Sequence, residues 1–281
     1  MRRPVGGFAA VAALAVVLIA LAGCGDPAVA AFELEWPDAR DAVMAGGVAD
    51  AAAWLLDARA APTPGPRWTV VFSGGELFGL REARGAAADV RLALDRTRVA
   101  VTTGSLGSRL YQERTLGVEV GRRLAGDLAC GLRVRLLGIA ADGCESLWSS
   151  AVDVRLARRV AGRLVLAARF ENAGAAEIGG SPVSTSARLA AALLLDDALL
   201  EASVRTEGGL DAMPALGIEA AANEWLRVRV SAGTAPGTFA VGLGLGREGA
   251  AARSRRPVVD VAWTWHPELG VSSFVSVRFG Q

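Results

Sequence analysis

From Trp68 onward the chain alternates apolar and polar residues with a period of two, and this pattern constrains the fold most tightly. Val90, Leu92 and Leu94 alternate with Asp89, Arg91 and Ala93, and Leu116, Val118 and Val120 with Gly117, Glu119 and Gly121. Leu132, Val134 and Leu136 alternate with Gly131, Arg133 and Arg135, and Val152, Val154 and Leu156 with Asp153 and Arg155. Leu226, Val228 and Val230 alternate with Arg227 and Arg229. Successive side chains of a strand point to opposite faces, so these runs describe strands with one apolar and one polar face. The pattern predicts about fourteen strands, near 67–73, 87–95, 97–103, 114–124, 128–139, 147–160, 163–172, 183–195, 198–206, 215–222, 225–231, 238–246, 257–265 and 271–279. Tight turns at Asp95-Arg96, 125–127, Ala161-Gly162, Asp196-Asp197 and Asn223-Glu224 alternate with longer connections at 104–113, 140–146, 173–182 and 207–214. Short turns at one end and long loops at the other suit an antiparallel transmembrane β-barrel. The segment 247–256 breaks the alternation, since parity puts it at the short-turn end.

Charge is concentrated on one face. Arg91, Glu119, Arg133, Arg135, Asp153, Arg155 and Arg169 share it with Glu201, Arg205, Glu219, Arg227, Arg229, Asp260 and Arg278. In a membrane barrel these residues line the lumen, where mixed signs can pair; in a soluble sandwich the same face meets water. Trp68, Phe72, Trp148, Phe170, Trp225, Phe239, Trp265 and Phe279 lie on the apolar face near expected strand ends, as the interfacial girdles of a membrane barrel require. The chain is 52% hydrophobic, yet its apolar residues come in short pieces after the N-terminus, with no helix-length uncharged run. A net charge of +1 without a basic patch gives no footprint for nucleic acid.

The N-terminus predicts export to the bacterial outer membrane. Arg2 and Arg3 precede an apolar run, 8–22, too short to span a bilayer as a helix and suited to a signal peptide. Leu21-Ala22-Gly23-Cys24 matches a lipobox, which would make Cys24 a lipidated first residue; Ala28-Val29-Ala30 matches ordinary signal cleavage. The expected division is 1–24 signal, 25–66 N-terminal segment and linker, and 67–281 barrel. Residues 37–59 read as helical, with Pro37 and Asp38 at the start, and three prolines in 60–66 form a linker. Cys130 and Cys144 fall near opposite ends of one expected strand, too far apart to bridge.

Chemical motifs are few. Gly244-Leu-Gly-Arg-Glu-Gly249 spells a dinucleotide fingerprint, but the motif needs a strand–helix–strand unit, and Pro257 ends any helix there within about two turns. Gly242, Gly244 and Gly246 read better as small lumenal residues that leave room for a plug. His266 is the only histidine and is expected in a solvated turn, without a nucleophile motif or further metal ligands. The residues therefore predict no enzyme, no cofactor and no metal site.

The stretch Ala39-Arg40-Asp41-Ala42-Val43-Met44-Ala45-Gly46-Gly47-Val48-Ala49-Asp50 resembles the N-terminal motif of the PorV/PorQ outer-membrane barrels, relatives of the FadL transporters of hydrophobic compounds. Leu110-Tyr111-Gln112-Glu113-Arg114-Thr115-Leu116-Gly117 resembles the start of a family strand. The end is similar too, with Asp260, Leu269-Gly270 and a closing strand ending in Arg278-Phe279. The resemblance implies fourteen strands with the N-terminal segment plugging the lumen through Arg40, Asp41, Met44, Gly46, Gly47 and Asp50. It implies passive transport of small or hydrophobic molecules, or an accessory role in protein secretion. Expected partners are outer-membrane lipids, the barrel-assembly machinery and secretion-system components. Arg59-Ala60-Ala61-Pro62 departs from the family's Asn-Pro-Ala element, and the outer loops are short for a FadL-type capture site. The alternative is a soluble or lipid-anchored β-rich binding module in the periplasm.

Overall fold

The computed structural model describes residues 42, 44, 67–94, 96–208, 211–234, 237–246 and 257–280. The strands run β1 (Arg67–Glu76), β2 (Arg84–Leu94), β3 (Thr97–Gly107), β4 (Tyr111–Arg123), β5 (Leu128–Ala141), β6 (Leu147–Ala161) and β7 (Leu164–Glu171). After a short ribbon of β8 (Glu177–Ile178) and β9 (Ser181–Pro182) come β10 (Ser186–Leu194), β11 (Ala198–Glu207), β12 (Met213–Ala221) and β13 (Leu226–Gly233). The chain closes with β14 (Phe239–Leu245), β15 (Val258–His266) and β16 (Gly270–Gly280). Fourteen of these strands form one closed antiparallel barrel in which β1 pairs with both β2 and β16, while β8–β9 stands apart. Closure leaves no sheet edge, so every ladder group can be satisfied without water, the condition for spanning lipid with strands.

Exposure assigns the faces. Val90, Val120, Leu132, Val134 and Leu216 are 50%, 50%, 53%, 49% and 66% exposed, while their sequence neighbours Glu119 and Arg133 are 7% and 4% exposed. A soluble protein would bury the valines and leucines and hydrate the arginines. This chain does the reverse around the whole wall, which makes it a transmembrane barrel of the bacterial outer membrane and excludes the soluble module. Aromatic rings sit at both rims of the outer face. Trp68 and Phe279 stand at the end where the wall begins, and Trp148, Phe239 and Trp265 at the other, whereas Tyr111 falls on the inward parity of β4 with Glu113 and Trp225 stands in the turn before β13. Trp148 lies over its cross-strand partner Gly138, whose missing side chain the indole replaces. Phe72 falls in the middle of β1 rather than near a strand end.

Three of the long connections are shorter than the alternation implied, and the one after β7 is longer. β3 and β4 continue through Gly104↔Thr115, Ser105↔Arg114, Leu106↔Glu113 and Gly107↔Gln112, so the expected loop 104–113 shrinks to 108–110. These residues, Gly-Ser-Leu-Gly on β3, carry no apolar alternation, so the period-two signal fades although the ladder continues. β10 begins at Ser186 instead of 183, because Val183 turns inward with the ribbon. His266 also differs from expectation. It ends β15, and its Nδ1 accepts hydrogen bonds from the N–H groups of Glu268 (3.2 Å) and Leu269 (3.1 Å), so it holds the β15–β16 turn.

Candidate functional site

The lumen is the candidate site, and strand parity decides what lines it. All fourteen charged residues expected there occupy inward positions: Arg91, Glu119, Arg133, Arg135, Asp153, Arg155, Arg169, Glu201, Arg205, Glu219, Arg227, Arg229, Asp260 and Arg278. The sequence reading missed Asp89, Arg98, Arg159, Glu171, Arg188 and Glu207, which share this wall. Arg188 was illegible because alanines flank it on both faces of β10, leaving no apolar alternation to show which way it points.

Glycines let arginines reach past their nearest neighbours. On β5, Arg133 crosses the strand-β4 residue Gly117 to donate to Thr102 Oγ1 on β3 at 2.7 Å. A Cβ on Gly117 would lie 2.6 Å from that hydroxyl and 2.7 Å from the Arg133 Nε. Arg155 on β6 crosses Gly131 to pair with Glu119 on β4 at 2.9 Å. Arg229 on β13 donates to Glu219 at 2.6 Å and crosses Gly244 to reach Asp260 on β15 at 2.5 Å. A Gly244 Cβ would stand 2.7 Å from Asp260 Oδ1. Gly244 therefore makes room for an ion triad, not for a plug or a pyrophosphate, and the sheet around it is antiparallel. The triad is sealed, with Arg229 1%, Asp260 0% and Glu219 7% exposed.

At the loop end, residues 172–185 fold back into the mouth. Asn172 adopts φ +53°, a conformation that Asn tolerates better than most residues. Its N–H donates to Asp153 Oδ1 (2.9 Å), its side-chain amide donates to the Val183 carbonyl (2.8 Å), and its Oδ1 accepts from the Ala176 N–H (2.8 Å). Arg135 holds the same Asp153 oxygen at 2.8 Å. Ile178 and Val183 are thereby pressed against the inward-facing Leu137 and Ala151, narrowing this mouth.

Two residues of the N-terminal segment are described, and both touch the lumen wall. Met44 is 4% exposed and packs with Ala129, Ala157, Val165, Ala190, Ala192 and Leu199, on β5, β6, β7, β10 and β11. Ala42 packs against the cluster of Leu77, Ala240, Ala262 and Phe274, next to β1 and on β14, β15 and β16. These two groups of strands are opposite walls of the barrel. Of the other expected plug residues, Arg40, Asp41, Gly46, Gly47 and Asp50 lie outside the described residues, as does Cys24.

No family model matches the chain, and no curated protein matches it. Solved structures do. The TodX deltaS2S3 mutant monoaromatic hydrocarbon channel is 11% identical, with 89% of this chain and 98% of that one covered at a TM-score of 0.55. The Pseudomonas putida toluene transporter TodX is 11% identical, with 90% and 98% covered at 0.52. The Ralstonia pickettii toluene transporter TbuX is 9% identical, with 77% and 88% covered at 0.49. At this identity the likeness is one of fold, and the TodX structures share the barrel architecture with this chain.

Proposed function

We propose that the protein is a passive outer-membrane channel for small solutes, narrowed from within by its own N-terminal segment. The observation that carries this reading is the placement of Ala42 and Met44 against opposite walls of a lumen otherwise lined by charge. Two residues so close in sequence can reach both walls only by lying across the interior. TodX is a monoaromatic hydrocarbon channel and toluene transporter. Here the buried arginines and carboxylates of the wall favour polar cargo, because a hydrocarbon in their place would leave them desolvated without compensation.

Kinship with the PorV/PorQ barrels rests on the motif at 39–50, and the luminal contacts of Ala42 and Met44 favour its plug role over a secretion role. Deleting 37–59 while keeping the signal is expected to raise single-channel conductance in planar bilayers. A deletion variant that inserts normally and conducts no better than the intact protein would refute the narrowing. An intact protein and a deletion variant that both insert and carry no current would refute the channel.

A further inference from the structure

The strand register sets four arginines side by side on the inner wall. Arg155 on β6 stands opposite Arg169 on β7, Arg169 opposite Arg188 on β10, and Arg188 opposite Arg205 on β11. Neighbouring strands lie about 4.8 Å apart, so the row presents one guanidinium per strand along an arc of roughly 14 Å. Like charges directly opposite on paired strands are destabilising. Here the repulsion recurs at three successive pairs, whereas the adjacent row alternates its signs as Glu119, Arg133 and Asp153. A wall that breaks a local rule repeatedly is the kind of place where function overrides stability.

The row is not sealed into the wall. The Arg155, Arg169 and Arg205 side chains pair with Glu119, Glu171 and Glu207, yet remain 27%, 25% and 26% exposed; Arg229 in its triad is at 0%. At the centre, Arg188 makes no hydrogen bond or ion pair among the described residues; Arg205, Arg169, Glu171 and Glu201 act on it only through their fields. On the short-turn side of the row runs a parallel line of small residues, Ala157, Ala167, Ala190 and Ser203. Met44 is seated on this line, against Ala157, Ala167 and Ala190.

We infer that this arginine row is a binding strip for small oxyanions, with phosphate or carboxylate groups held at Arg188 and passed between its neighbours. The guanidinium fork matches the paired oxygens of both groups, and the charge-assisted bonds it forms are the strong ones. Adjacent forks offer the next site before the last is left, so an anion is retained without being trapped. Passage along the strip rests on the channel reading above; binding to it does not.

The test uses the full-length protein, measuring inorganic phosphate binding by titration calorimetry in detergent and ion selectivity in planar bilayers under a KCl gradient. The intact protein is expected to bind phosphate and to favour chloride over potassium. Arg188→Gln should weaken phosphate about tenfold, the loss of one charge-assisted contact, with Arg188→Lys restoring part of it. Arg163→Gln, in an exposed turn, should change neither readout. Removing one of four like charges relieves repulsion, so Arg188→Gln is expected to fold, and heat-modifiable gel migration checks this. Undetectable phosphate binding, or equal binding by Arg188→Gln, overturns the strip even if the channel conducts. Binding that depends on Arg188 in a protein that carries no current, whether intact or lacking 37–59, upholds the strip and refutes the channel.

Discussion

Single missing side chains organise the charges of this wall. A lumenal arginine is long enough to reach two strands away, and at Gly117 and Gly244 it passes through a gap that a Cβ would close. Gly244→Val is expected to push Arg229 off Asp260 and to cost about 1–3 kcal/mol by overpacking, read as a lower urea midpoint in lipid vesicles. Arg229→Met is expected to cost more, about 3–5 kcal/mol, since it strands two buried carboxylates. The triple change Arg229→Met, Glu219→Gln, Asp260→Asn should recover most of that loss. If Arg229→Met alone unfolds at the intact protein's midpoint, the triad contributes nothing. Alternation along the sequence put these charges on one face. Which arginine meets which carboxylate was not legible, because it depends on register between strands far apart in the chain.

Among the elements, the connection 172–185 does the most to shape the lumen. Its inward fold rests on Asn172, which ties the end of β7 to Asp153 and to Val183. Asn172→Ala is expected to free the β8–β9 ribbon from Leu137 and Ala151, at a cost of about 1–3 kcal/mol for the groups left unpaired. Single-channel conductance should rise with it. Unchanged conductance in an inserted variant would show that the ribbon does not narrow the mouth. The sequence marked this stretch as a loop from its glycines and Pro182, but nothing in the residues said that it folds inward. The aromatic rims were more legible, since Trp68, Trp148, Phe239 and Trp265 stand on the apolar parity of their strands.

For the whole molecule, the decisive property is that the apolar face points out. Val134→Arg, on the exposed face of β5, is expected to destabilise the barrel in lipid by about 2–4 kcal/mol if it lies near the bilayer midplane. An arginine at the neighbouring lumenal Gly117 would be costly too, because it would collide with Arg133 and Thr102. Folding in vesicles that is unaffected by Val134→Arg would place this face away from lipid.

The sequence by itself determined the strand period, the number of strands and the segregation of charge to one face. Those are local properties, carried by side chains two residues apart on one strand. Tertiary structure decided which face is outside, which arginines stand in line, where glycines open paths between strands, and that Ala42 and Met44 touch opposite walls. Each of these depends on closure and register, which bring together residues more than two hundred positions apart, such as Thr69 and Gly280, and are written in no single segment.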